Sequence, residues 1–137
     1  MERLFKRRPA PAPLPLRGAP PVRRRKTYSA QTGYVYQYYY KGYRESDRAG
    51  APGNEYVFQV SSDRKSSFPL TVFLPGGVVE SWQQAHGRAL APTEQYAAVK
   101  MALFEAFDGK DDLGPANAEV EIDASGIENF LTTLEIE

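Results

Sequence analysis

Six prolines, at positions 9, 11, 13, 15, 20 and 21, decide what the amino end of this chain cannot become. Each one holds φ near about −65° and removes a backbone donor, so neither a helix nor an interior strand passes through them. The same stretch is strongly basic. Met1–Lys26 carries nine Arg and Lys residues against Glu2 alone, a net +8, while residues 27–137 carry eight basic and sixteen acidic residues, a net −8. The formal charge of zero therefore conceals a cationic leader on an anionic body. Residues 1–26 read as an extended, proline-rich arm, disordered when free. Residues 27–137, roughly 110 positions, read as one small domain.

Two basic clusters bracket the prolines: Lys6-Arg7-Arg8, and Arg23-Arg24-Arg25-Lys26. In polyproline II geometry the spacer from Pro9 to Val22 spans on the order of 40 Å. The fragment from Ala12 to Arg17 resembles proline-rich ligands of aromatic grooves, without their full proline spacing. No helical apolar core follows the first charges, which argues against a secretory signal. No apolar run approaches the roughly 20 residues of a membrane span. Cysteine is absent, which excludes disulfides, thiolate metal sites and cysteine nucleophiles and suits a cytoplasmic location.

Beyond the leader the pattern predicts an α+β domain: a small antiparallel β-meander of three to four strands, packed on one face by two to three helices. The run 33–44 is a tyrosine-rich strand. Alternation puts Tyr34, Tyr36, Tyr38 and Tyr40 on one face and Val35, Gln37, Tyr39, Lys41 and Tyr43 on the other. Residues 45–54, polar and carrying Gly and Pro, read as a long loop, and 55–62 and 69–74 as further strands. Pro75-Gly76-Gly77 opens a helix that stops at Gly87. A longer helix runs from about Pro92 to Asp108, with Tyr96, Val99, Leu103, Phe104 and Phe107 as its apolar stripe. A short strand follows at 119–122, and Ser125 to Glu128 has the capping-box pattern of a last helix.

Chemistry-bearing residues are few. Lys100 falls inside the apolar sector of the long helix, where a lysine packs its stem and reaches for a carboxylate or a phenol, or, desolvated, becomes a nucleophile. His86 is the only histidine and sits at a helix end. Pro-Gly-Gly lacks the lysine of a phosphate loop. Asp111-Asp112 and the alternating Glu119, Glu121 and Asp123 read as a solvated acidic edge rather than a cation site. No catalytic constellation, metal-ligand set or cofactor motif emerges.

These features point to a non-enzymatic accessory or assembly subunit. The arm and an aromatic sheet surface would anchor it to a larger protein or ribonucleoprotein assembly with an acidic or phosphate-bearing face. The partner-binding residues in that reading are Lys6, Arg7, Arg8, Arg17, Arg23, Arg24, Arg25, Lys26, Tyr39 and Tyr43. The alternative is an RNA- or DNA-binding protein whose arm contacts phosphates. A further alternative is autoinhibition, with the arm folded onto its own acidic body.

Overall fold

The computed structural model describes residues 13–109 and 113–137. Five strands form one sheet in the order β1-β2-β3-β4-β5. They are β1 (Lys26–Ser29), β2 (Val35–Arg48), β3 (Ala51–Ser61), β4 (Phe68–Pro75) and β5 (Glu119–Glu121). The first four pair antiparallel in chain order, and β5 lies parallel to β4 at the far edge. Three helices, α1 (Gly76–His86), α2 (Pro92–Gly109) and α3 (Ala124–Thr133), complete the α+β fold.

Alternation along the strands builds the core. Tyr36, Tyr38, Phe58, Val60, Leu70, Val72 and Leu74 share the helix-side face and are buried there with Val99, Leu103, Phe107, Ile127 and Leu131. Ala98, Ala102 and Ala106 line the buried side of α2. Small residues on that side let the helix lie close to the sheet. Phe107 is the aromatic hub: it stacks on Tyr36 at 4.4 Å and also meets Tyr28 and Tyr38. Phe73 faces the other way, beneath the Arg48 guanidinium 4.9 Å above its ring.

Four local features differ from the sequence reading. The loop expected at 45–54 is instead the end of a long hairpin, in which β2 and β3 pair as far as Arg48 and Ala51. Its two turn residues, Ala49 and Gly50, have φ of 54° and 85°. Two successive positive φ values make the type I′ turn whose twist matches that of the strands. Second, Lys26 opens a short strand, β1, which pairs with residues 35–38 of β2. Third, the cap of α3 lies two residues before the expected Ser125. Asp123 caps it, its carboxylate accepting the Gly126 N–H at 2.7 Å.

The fourth difference alters the functional surface. A bulge interrupts β2 between Tyr40 and Gly42, so that Tyr40 faces Phe58 while Tyr43 faces Tyr56. The extra residue, Lys41, reverses the alternation. Tyr43, expected beside Tyr39 on the open face, therefore lies on the face of Tyr40 and Tyr56 and packs against the core.

Candidate functional site

The described part of the leader lies along the outer edge of β2. Arg17 and Tyr43 exchange both backbone hydrogen bonds, each at 2.8 Å, in an antiparallel bridge. Two glycines make this crossing possible. Gly18 has φ of 74°, and a Cβ there would meet the Tyr43 ring at 2.9 Å. Gly42 has φ of 128°, and a Cβ there would stand 2.6 Å from the Arg17 carbonyl oxygen. Past Pro20 and Pro21 the chain rejoins the same edge as β1. From Arg17 to Lys26 the leader takes nine residues to pass from Tyr43 to Tyr38, so this part is not one straight rod. Lacking N–H groups, the prolines suit an edge, where a missing ladder donor breaks no interior pairing.

This path places most of the sequence-predicted contact residues. Arg17 sits 5.2 Å over the Tyr43 ring and 3.5 Å from Glu45, and both side chains of that ion pair are more than half exposed. An ion pair so exposed contributes about 0–1 kcal/mol. Arg23 lies 5.1 Å over the Tyr39 ring. Arg25 borders a hollow of about 160 Å³ with Gln37, Tyr39, Gln59, Arg64 and Lys65. Arg24 and Lys26 border a second hollow of about 110 Å³ with Tyr39, Tyr40, Tyr96 and Lys100. Lys6, Arg7 and Arg8 lie outside the described residues.

Arg23 lies over Tyr39, and Tyr39 lines both hollows, which six more cations share: Arg24, Arg25, Lys26, Arg64, Lys65 and Lys100, seven in all. Among the described residues none of the seven is ion-paired with a carboxylate. Three other cations of the body are spoken for. Arg44 and Arg48 hold Glu55 at 2.9 Å each, Arg48 also reaches Glu119 at 2.8 Å, and Arg88 clasps Glu94 at 3.0 Å. Asp63, the nearest acid in sequence to Arg64 and Lys65, bonds its own exposed loop instead. It accepts the backbone N–H groups of Ser66 and Lys65, which pull its carboxyl down to about 2.

Lys100 is caged by aromatic faces. Its ammonium lies 5.3 to 5.7 Å from the ring centres of Tyr38, Tyr96 and Phe104. Burial, and then the charge of Lys26, lower its pKa. The ring quadrupoles offset part of that desolvation. Lysine between aromatic rings was legible as an anomaly in the α2 stripe; its partner Lys26 was not, because only the unforeseen β1 brings them together. Among the described residues no carboxylate or imidazole lines the hollow beside Lys100.

The remaining candidates have structural partners. His86 stacks on Trp82 at 4.2 Å and bonds Glu128 at 2.9 Å, joining α1 to α3. Gly76, which opens α1, lines a hollow with Glu45 and Asp47, whose charge repels an anion from that helix end. Among the described residues no group of three acids or histidines is placed to hold a metal ion. No helix among them is long and apolar enough to cross a membrane. Comparison of the chain with protein-family models, curated proteins and solved structures returns no match.

Proposed function

We propose that this protein is a non-catalytic RNA- or DNA-binding subunit whose leader and sheet edge together grip a phosphate backbone. The observation that carries this reading is the set of seven cations over Tyr39 or lining its two hollows, with no carboxylate partner among the described residues. Phosphate binding releases condensed counterions, so affinity falls steeply with salt. The leader supplies four of these cations and the folded body three. Cations of the leader and of the body thus line the same two hollows, although the body is acidic as a whole.

The test is a salt titration of binding to a labelled single-stranded oligonucleotide. About five phosphate contacts give a log–log slope of about −3.5, a loss near 100-fold between 50 and 200 mM salt. Changing Arg23, Arg24, Arg25 and Lys26 to Gln together flattens the slope by about 0.7 for each phosphate no longer neutralised. A slope near zero, or one unchanged by the substitutions, refutes the reading. Exposed Leu14, Val22, Tyr34 and Val35 favour a second reading, docking as an accessory subunit onto an acidic protein surface. Partners that survive nuclease treatment but fail to bind the four-Gln variant select it.

A further inference from the structure

The bulge at Lys41 brings Tyr43 onto the face that already holds three other tyrosines. Tyr40 and Tyr43 of β2, Tyr56 of β3 and Tyr96 of α2 line one cavity of about 600 Å³. Pro92 at the start of α2 closes one side, and Gly18 and Pro20 of the leader close another. The rings stand close: Tyr40 to Tyr96 at 4.9 Å, Tyr43 to Tyr56 at 5.9 Å and Tyr56 to Tyr96 at 6.4 Å. Burial and the neighbouring phenols raise the pKa of Tyr40, and Tyr96 is pushed up to about 12, chiefly by burial. The phenols therefore stay neutral at physiological pH and offer aromatic faces together with hydroxyl donors. A concavity of this size, with aromatic walls and few polar groups, has the dimensions of a small-ligand site.

This cavity is not isolated from the cations. Pro20, Tyr40 and Tyr96 line both it and the hollow that holds Arg24, Lys26 and Lys100. One groove thus has a tyrosine end and a cationic end, joined at Tyr96. Among the described residues neither end is lined by an Asp or Glu. Planar aromatic surface beside paired ammonium groups matches a nucleotide unit, base next to phosphate.

We propose that the groove takes up one unpaired nucleotide of a bound strand, its base among Tyr40, Tyr43 and Tyr96 and its phosphate at Lys26, Lys100 and Arg24. This inference rests on the nucleic-acid reading above and adds to it a preference for single strands. A paired base is stacked inside its duplex and cannot enter the groove without being extruded. The phosphate contacts around Tyr39 need no such exposure and serve duplex and single strand alike.

The full-length protein is titrated at low salt with a labelled oligonucleotide, single-stranded and annealed to its complement. The single strand is expected to bind roughly ten- to a hundredfold more tightly, the contribution of one stacked base. Tyr96→Leu keeps apolar volume, and it should erase that preference while leaving duplex affinity and its salt slope in place. Photocrosslinking of the unmodified protein to a halogenated-uracil oligonucleotide gives a readout independent of any variant's folding. The crosslink is expected on Tyr40, Tyr43, Tyr56 or Tyr96. Equal affinity for both forms, a preference that survives Tyr96→Leu, or crosslinks confined to Tyr39 overturns the inference while leaving the phosphate reading intact. Displacement of the crosslink by a proline-rich peptide, with no base preference seen, also overturns it and assigns the groove to a peptide. Failure to bind either form overturns both readings.

Discussion

Gly42→Ala isolates the contact that seats the leader. The new methyl would stand 2.6 Å from the Arg17 carbonyl oxygen and 3.1 Å from the Leu16 Cβ, at a backbone φ of 128°. The backbone alone strains by about 1–3 kcal/mol. Displacing the leader also breaks the two Arg17–Tyr43 hydrogen bonds, worth about 0.5–1.5 kcal/mol each. The two effects separate in a double cycle against a chain that begins at Val22, which keeps β1 but lacks Arg17. Strain is common to both backgrounds, whereas the leader contact exists only in the full chain. The expected coupling is therefore about 2 kcal/mol, or about 6–10 °C of melting temperature for a domain of this size. Denaturant and thermal unfolding of the four proteins measure it. Trypsin cleavage after Arg17 reports the same event, becoming faster in Gly42→Ala because the bridge no longer shields that bond. A coupling within about 0.5 kcal/mol of zero, with unchanged cleavage, would show that the leader is not held at Gly42.

Two further outcomes test the core and the ion pairs. Phe107→Ala, at a fully buried ring in contact with Tyr28, Tyr36 and Tyr38, should cost about 3–5 kcal/mol in denaturant unfolding; a loss under about 1 kcal/mol would contradict the packing described. Stability should also fall in acid. Burial alone would raise the pKa of Glu55, but hydrogen bonds from Arg48, Arg44 and Ser46 outweigh it and hold the group below its ordinary range. Arg88 and the Ala91 N–H lower Glu94, and backbone N–H groups lower Asp63 to about 2. All three folded-state pKa values lie below the unfolded ones, so the unfolded chain takes up protons first as pH drops. Their contribution is complete above about pH 4.5 and is lost progressively down to about pH 2. A denaturant midpoint that stays level from about pH 5 to pH 2.5 would refute this.

How far the sequence foretold this molecule depends on whether a feature leaves a periodic trace. The tyrosine alternation at 36–40 and the stripe of α2 did, because burial on one face forces the period. The hairpin end did not. Ala49 is a poor marker for a left-handed turn position, where Asn or Asp is usual, and the Gly50 N–H is steadied instead by the Asp47 carboxylate at 2.8 Å. Polar residues at 44–48 become strand because Glu55 collects Arg44, Ser46 and Arg48 across the ladder, a long-range pairing invisible to local composition. The bulge rests on one inserted residue, and its only trace was Gly42. That single slip moved Tyr43 to the opposite face and completed the tyrosine groove. Charge segregation was legible from the start, but the gathering of Arg64, Lys65 and Lys100 beside the leader depended on the β1 pairing.

Proline content and positive charge in the leader answer one structural problem. Among the described residues β2 is the longest strand, and beyond Tyr38 no strand pairs its outer edge. An unpaired edge of this length invites pairing with other chains. The leader covers it at one bridge, Arg17 to Tyr43, and prolines on either side prevent that bridge from growing into a full strand. A fully paired strand would point alternate side chains toward the core face, where an arginine is costly to bury. Because the prolines interrupt pairing, Arg23, Arg24 and Arg25 remain exposed. The edge is protected by a segment too irregular to propagate a sheet, and the same irregularity leaves its cations displayed. Replacing Pro20 and Pro21 by Val should therefore lengthen the paired segment, raise the tendency to self-associate and weaken phosphate binding together. Analytical ultracentrifugation and the oligonucleotide titration would show the two changes side by side. Weaker binding with no change in association would mean that the prolines serve charge display alone.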